Sequence, residues 1–318
     1  MEKQKILFLD TTHEALVESL NAMGFVCEHH AEMPLEEVMQ IIGDYTGVII
    51  RSRLKIDEEF INAGKNLRFI ARAGSGMEGI DVQYAEKKGI ACINSPEGNR
   101  DAVGEQATGL LLALMNNLMK ADREVRRGIW IREGNRGHEI KGKTIGIIGY
   151  GNMGSAFAKR ISGFDARVIS YDKYKTNYSD GNTIEVTLEK IFDEADILSL
   201  HVPLTEETHY MVNDDFLKLF RKNIYLLNTS RGKVVDSHDL VKHLKSGHVL
   251  GAALDVLEYE AGSFEKLDMD NLPSAFSYII QSERVVLSPH IAGWTHESHI
   301  RHAQVLAEKI ISLFQSEL

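Results

Sequence analysis

One stretch constrains this chain more than any other. Gly149-Tyr-Gly151-Asn-Met-Gly154 places three glycines at fixed spacing between an apolar, strand-like run, Lys143-Thr-Ile-Gly-Ile-Ile-Gly149, and a helix-like stretch over 155–161. A strand that feeds a helix through such a turn belongs in a βαβ unit with a parallel sheet. The first glycine permits the tight turn, the second lets a ligand's phosphates approach the backbone, and the third lets helix pack on strand, while the helix start offers unpaired N–H groups to an anion. The next run, Arg167-Val-Ile-Ser-Tyr171, ends on Asp172, 18 residues after Gly154. At that offset a carboxylate accepts from a ribose 2′-hydroxyl and repels a 2′-phosphate. The segment therefore reads as a dinucleotide site with NAD favoured over NADP; Lys173 and Lys175 soften that preference without overriding the acid. The competing reading, a glycine turn followed by a solvated Asp, leaves the strand–turn–helix–strand–acid order unexplained.

The rest of the chain repeats the alternation. Strands are expected near 5–10, 25–29, 47–50, 67–71 and 90–93, with helices near 13–22 and 35–42 between them, and a second series near 143–149, 166–171, 196–200, 223–228, 250–254 and 284–288. With 318 residues and roughly 150 residues per domain as a prior, two domains are expected. The fold class is α/β, with two Rossmann-like, doubly wound parallel-sheet domains, one flavodoxin-like and one dinucleotide-binding, and a cleft between them. A long helix over 99–119, with Leu110, Leu111, Leu114 and Leu118 on one side, reads as the connector. The amphipathic stretch 296–314 comes too late for the second series and is expected to fold back on the first. The domains are thus 1–98 with 296–318, and 99–295. Five prolines and no Ser/Gly tract leave no flexible linker, so hinge motion would act at the two crossings.

Composition excludes several functions. The formal charge of −10 at a pI near 5.7 gives no basic field for a nucleic-acid backbone. No apolar run approaches the ~20 residues of a membrane span, and the start, Met1-Glu2-Lys3-Gln4-Lys5 before Ile6-Leu7-Phe8-Leu9, has no secretory core; the cytoplasm is expected. Cys27 and Cys92 stand far apart with no Cys/His cluster, so neither a disulfide framework nor a metal site is expected.

Three polar groups emerge at strand ends of the second series. Arg231, in Asn228-Thr-Ser-Arg231-Gly232, is placed to hold a small carboxylate bidentately, although alone it reads as a surface ion-pair residue. Asp255-Val-Leu-Glu258-Tyr-Glu260 follows the run 250–254, and Ser288-Pro289-His290 follows 284–288. Histidine exchanges a proton near neutral pH, and a neighbouring carboxylate fixes its tautomer and favours its charged form. Among 13 histidines, His290 is singled out by its place on the edge that carries the glycine turn and Arg231.

Taken in order, these segments resemble the D-isomer-specific 2-hydroxyacid dehydrogenase family over nearly the whole chain. The resemblance rests on Arg72-Ala-Gly-Ser-Gly76, Gly79-Ile-Asp81, Asp101-Ala-Val-Gly-Glu105, the glycine turn, His201-Val-Pro-Leu-Thr205, Asn228 to Gly232, Gly251-Ala-Ala-Leu-Asp255 and Pro289-His290. It implies hydride transfer between NAD(H) and a small 2-hydroxy or 2-oxo acid, with Arg231 on the substrate's carboxylate and carbonyl oxygen, His290 as general acid/base and Glu260 hydrogen-bonded to it. It further implies that backbone N–H groups of Ser75 and Gly76 hold the carboxylate. Cofactor contacts carry over to Ser75, Gly149, Gly151, Asn152, Met153, Gly154, Asp172, Val202, Thr229, Ser230, Asp255 and Gly293.

Two features depart from the family pattern. Glu260 precedes Ala261 rather than Pro and lies 30 residues before His290, which implies an insertion around 262–277 and leaves Glu258 or Glu260 to meet the histidine; spacing from Asp255 and Arg231 favours Glu260. Trp294 stands where a small residue is common, either lining the pocket or, as the simpler reading, packing. Ile50-Arg51-Ser52-Arg53, Arg72-Ala-Gly and Trp130-Ile-Arg132 look most like the phosphoglycerate dehydrogenase branch of serine biosynthesis. That branch implies Arg51, Arg72 and, in a dimer, the partner subunit's Arg132 near a phosphate; structural ion pairs are the equal alternative. The chain ends soon after its last helix, so no carboxy-terminal regulatory domain is expected. The expected substrate is D-3-phosphoglycerate, with glyoxylate/hydroxypyruvate reduction as runner-up and an NAD(H)-sensing corepressor-like protein as a rival of another class. Formate oxidation is disfavoured because related enzymes pair the histidine with Gln. The helix 99–119 and the arm 120–142 resemble a dimer-forming segment, so a homodimer is expected.

Overall fold

Strands whose two faces are both covered read as unbroken apolar runs, and the central strands of both sheets do so. A computed structural model describes residues 4–260 and 273–315. Contacts divide the chain into two units, Met1–Arg100 with Trp294–Leu318, and Asp101–Gly293.

The first unit holds β1 (Lys5–Phe8), β2 (Val26–His29), β3 (Gly47–Ile50), β4 (Phe69–Arg72) and β5 (Ala91–Asn94), all paired in parallel in the order β2-β1-β3-β4-β5. Period-two alternation splits each strand between two cores. Leu7, Leu9, Val48, Ile50 and Ile70 face one layer of helices; Ile6, Phe8, Ile49, Phe69 and Ala71 face the other, where Ala303, Leu306, Ala307 and Ile310 of the helix His296–Gln315 cover them. The last helix is therefore part of the first unit's core. Two helices here start on aspartate caps: Asp57 accepts from Phe60 N at 3.1 Å and Asp81 from Tyr84 N at 3.0 Å.

The second unit holds β6 (Thr144–Ile148), β7 (Arg167–Tyr171), β8 (Ile184–Glu185), β9 (Ile197–Leu200), β10 (Ile224–Asn228), β11 (Val249–Leu254) and β12 (Val285–Leu287). They are parallel in the order β12-β11-β10-β9-β6-β7-β8. β6 has β7 on one side and β9 on the other, so the winding reverses beside it, and ligands bind outside the carboxyl ends of the strands at such a point.

One expectation needs correction. The long helix 99–119 is two helices, Arg100–Met115 and Leu118–Arg126. Asn117 adopts a left-handed conformation (φ 52°) and donates through Nδ2 to Arg136 O at 3.2 Å, while Asn116 Nδ2 donates to Leu112 O at 3.2 Å. Asparagine bonds of this kind compete with helical ones and end the helix. Leu110, Leu111 and Leu114 are buried, but Leu118 beyond the break is 51% exposed. β8 adds a two-residue edge strand to the second series. The stretch expected as an insertion, 262–277, lies outside the described residues as far as 272, and its last residues enter the helix Ser274–Gln281, which buries Ala275, Phe276 and Ile279.

Candidate active site

The glycine turn follows β6 directly. Gly149 has φ +91°, and a Cβ there would lie 2.4 Å from His201 O, so the turns after β6 and β9 touch at the reversal point. At Gly154 a Cβ would lie 2.0 Å from Gly149 O, which requires the small residue where the helix Asn152–Ile161 crosses its own turn. A Cβ on Gly151 would meet nothing within 4 Å. No side chain caps the helix start at Gly151, so the first N–H groups of that helix, including those of Asn152 and Met153, are left to an anion. Asp172 stands at the end of β7 and accepts from Tyr150 N at 2.8 Å and Tyr174 N at 3.0 Å. These bonds leave about half of its four lone-pair positions for a ribose. The neighbouring lysines are engaged, Lys173 with Glu207 and Lys175 with Tyr150 O at 2.9 Å. The loops after β9 and β10 bring Val202, Thr229 and Ser230 to the same sheet edge; Thr229 Oγ1 is buried without a hydrogen-bond partner among the described residues. An open cradle over uncapped N–H groups, an anchored acid and an orphaned hydroxyl together fit a dinucleotide.

The polar groups of the β10, β11 and β12 loops are held from below. Asn228, 1% exposed, accepts from Ser230 N (3.0 Å) and Ser230 Oγ (2.7 Å) and donates to Arg231 O (3.0 Å), which shapes the turn that presents Arg231. Arg231 Nη1 donates to Ser230 O at 2.7 Å. A Cβ on Gly232 would lie 2.0 Å from Leu257 O, so the β10 loop runs against the β11 loop. Glu260 accepts from Leu257 N through Oε1 at 2.6 Å and meets His290 Nδ1 through Oε2 at 2.8 Å. Glu258 accepts from Ser237 N at 3.0 Å, so of the two acids it is Glu260 that faces the histidine. His290 itself is left-handed (φ 55°), a conformation that costs a substituted residue about 1–2 kcal/mol. Asp255 lies beneath its turn, 1% exposed, and Gly293 closes the unit.

The substrate-binding residues expected from the sequence fall in both units. Arg51 N donates to Asp10 Oδ2 at 2.6 Å, and its guanidinium lies 4.9 Å from the ring centre of Trp294. Burial pushes its pKa down, against the nearby charge of Asp10. With Thr12, His13, Ala73, His299, His302 and Ala303 it lines a small cavity. Arg72 braces its own loop, donating to Arg51 O at 2.8 Å and to Gly76 O. Ser75 Oγ donates to Asn99 Oδ1 at 2.6 Å, and Ser75 O accepts from Asn94 Nδ2 at 2.6 Å. Arg132 is exposed on the second unit's arm. Trp294 is not packed: its side chain is 69% exposed and lies against a guanidinium. Neither that stack nor the convergence of His13, His299 and His302 has a signal in local sequence. Among the described residues no His/Cys/Asp/Glu group could hold a metal, and no helix is long and apolar enough to cross a membrane.

Known proteins resemble the chain over most of its length. The profile of the D-isomer specific 2-hydroxyacid dehydrogenase NAD-binding domain matches residues 108–292. A hydroxypyruvate reductase of Thermotoga maritima is 37% identical over 90% of this chain and 89% of its own length. A D-3-phosphoglycerate dehydrogenase of Archaeoglobus fulgidus is 32% identical over 97% of this chain but 57% of its own length. A solved structure from Thermus thermophilus superposes with a TM-score of 0.80 at 28% identity, over 98% of this chain and 97% of that one. The chain belongs to the D-isomer-specific 2-hydroxyacid dehydrogenase family, and its second unit contains that family's NAD-binding domain.

Proposed function

We propose that this D-2-hydroxyacid dehydrogenase interconverts D-3-phosphoglycerate and 3-phosphohydroxypyruvate. The observation that carries the substrate is the small cavity of the first unit that Arg51 lines. Arg51 and three histidines converge there, and Thr12 Oγ1 is buried without a partner among the described residues. Burial first, and then the charges of Arg51 and Arg72 among others, hold His302 down at about 4; burial, Arg51 and His13 lower His299. Arg51 is the charged group of that lining, and it supplies the planar fork that matches a phosphate.

NAD supplies the hydride acceptor or donor at substrate C2. Arg231 binds the substrate carboxylate and offsets charge growing on the C2 oxygen. His290, with Nδ1 turned to Glu260 at 2.8 Å, exchanges the proton of that oxygen through Nε2. Glu260 fixes the ring's tautomer and balances its charge when both nitrogens carry protons. Gly149, Gly151 and Gly154 with the N–H groups of Asn152 and Met153 take the pyrophosphate, Asp172 the ribose, and Val202, Thr229, Ser230, Asp255 and Gly293 the remaining contacts.

Glyoxylate/hydroxypyruvate reduction is the second reading. It is favoured by Arg72, whose guanidinium braces backbone carbonyls of its own unit, and by the Thermotoga relative. NADH consumption by purified protein against 3-phosphohydroxypyruvate, hydroxypyruvate, glyoxylate, pyruvate and 2-oxoglutarate separates the two. The phosphorylated acid should give the highest kcat/KM; a preference for glyoxylate or hydroxypyruvate makes the chain a reductase and leaves Arg51 a structural residue.

We also propose a homodimer through the arm. The helix Leu118–Arg126 buries none of its residues, and Leu118, Met119, Val125, Ile129, Trp130 and Ile131 are all exposed, Trp130 by 79%. An exposed apolar run of this length marks an interaction surface. A dimer is expected in sedimentation at micromolar concentration, and a monomer there removes the proposal.

A further inference from the structure

We propose that Asp255 is the positioning residue of His290, and that its carboxylate is required to hold the left-handed turn on which the histidine stands. The inference rests on the reading of His290 as the acid/base. Residues 288–292 form the turn. Ser288 N continues the sheet pattern to Leu254 O at 3.1 Å, and Pro289 has no N–H. Every later backbone donor of the turn then ends on Asp255: His290 N on its carbonyl at 2.7 Å, Ile291 N on Oδ1 at 3.0 Å and Ala292 N on Oδ2 at 2.8 Å. The Ser288 hydroxyl adds a fourth bond, to Oδ1 at 2.6 Å. Asp255 is in turn fixed by its own N–H, which donates to Asn228 O at 3.0 Å, and Asn228 shapes the Arg231 turn. Two buried polar residues on adjacent strands therefore tie the Arg231 loop to the His290 loop.

The chemistry calls for a carboxylate rather than an amide. Oδ1 accepts two donors and Oδ2 accepts one, so three of about four lone-pair positions are filled by protein, with one left for a cofactor donor. An asparagine satisfies only one end and turns its NH2 toward an N–H or a hydroxyl at the other. A buried donor facing a donor is costly, and the turn relieves it by leaving the left-handed conformation, which swings the imidazole away from Glu260.

The test is Asp255→Asn in the full-length enzyme, beside Ser288→Ala and the control His290→Gln. A displacement of about 1 Å at a reacting group costs on the order of 100-fold in rate. Asp255→Asn should therefore lower kcat by about that factor while NADH affinity, read by fluorescence titration, changes far less. The downfield proton resonance of the His290–Glu260 bond, present in the wild type and absent from His290→Gln, should be lost or broadened. Ser288→Ala, which removes one bond and keeps the charge, should lower kcat several-fold with KM and NADH affinity unchanged, and it carries the test if Asp255→Asn does not fold. Wild-type kcat in Ser288→Ala together with an intact resonance in Asp255→Asn would overturn the proposal. So would a loss of NADH affinity as large as the loss of kcat, which would make Asp255 a cofactor contact alone. An active His290→Gln enzyme, by contrast, removes the acid/base reading itself.

Discussion

The loops that carry Arg231, Glu260 and His290 differ from the loop that carries Arg51 in how they are fastened. Beneath the former lie Asn228 and Asp255, each 1% exposed and each bonded to several donors of the turns above. Arg51 is tied through its backbone, its N–H to Asp10 and its carbonyl to the guanidinium of Arg72, and rests its own guanidinium on an exposed indole. Buried, satisfied polar groups specify one geometry, whereas a side chain lying on an exposed ring can be exchanged without disturbing a core. Chemistry shared by a family belongs on the first kind of support. Choice among substrates belongs on the second, and these two loops should respond to substitution in different ways.

The largest effect is expected at the fastened loops. His290→Gln keeps the ring's approximate volume but cannot exchange a proton, so kcat should fall by about 10³-fold on every 2-oxo acid, with NADH binding retained. Turnover within about tenfold of the wild type would remove the acid/base role and with it the contrast.

Arg51→Ala should instead act on one substrate only. Removing a half-buried cation from a bound phosphate costs about tenfold or more in KM for 3-phosphohydroxypyruvate, while KM for glyoxylate, which carries no phosphate, stays within about twofold of the wild type. An equal effect on both substrates would place Arg51 with the fastened groups and end the distinction.

The contrast also explains what was legible in the sequence. Strand ends were, because β3, β6, β9 and β10 are buried along their whole length and so read as unbroken apolar runs, and a parallel sheet brings its loops to one edge. Local patterns were misleading where a distant contact decides the outcome. Leu118 and Met119 continue the apolar period of the preceding helix, and the break at Asn117 is fastened by Arg136 on the far side of the arm. Between Glu258 and Glu260 the spacing already favoured Glu260, and the contacts with Ser237 and His290 separate them. β8 is two residues long, with Ile184 52% exposed, too short for any period to register.

The smallest expected effect is at Trp294. A guanidinium over an exposed indole is worth about 0.5–1 kcal/mol, so Trp294→Ala should lower the ratio of kcat/KM for 3-phosphohydroxypyruvate over glyoxylate by about two- to fivefold. Trp294→Phe, with a weaker ring, should fall between. The chain has two tryptophans, Trp130 and Trp294, so in a Trp130→Phe background the remaining fluorescence reports on the indole beside Arg51. Phosphate added to that variant should change the emission, and Arg51→Ala should abolish the change. An emission indifferent to phosphate, with an unaltered substrate ratio in Trp294→Ala, would mean that the stack only covers the guanidinium, and substrate choice would then have to be sought in the histidines of the cavity.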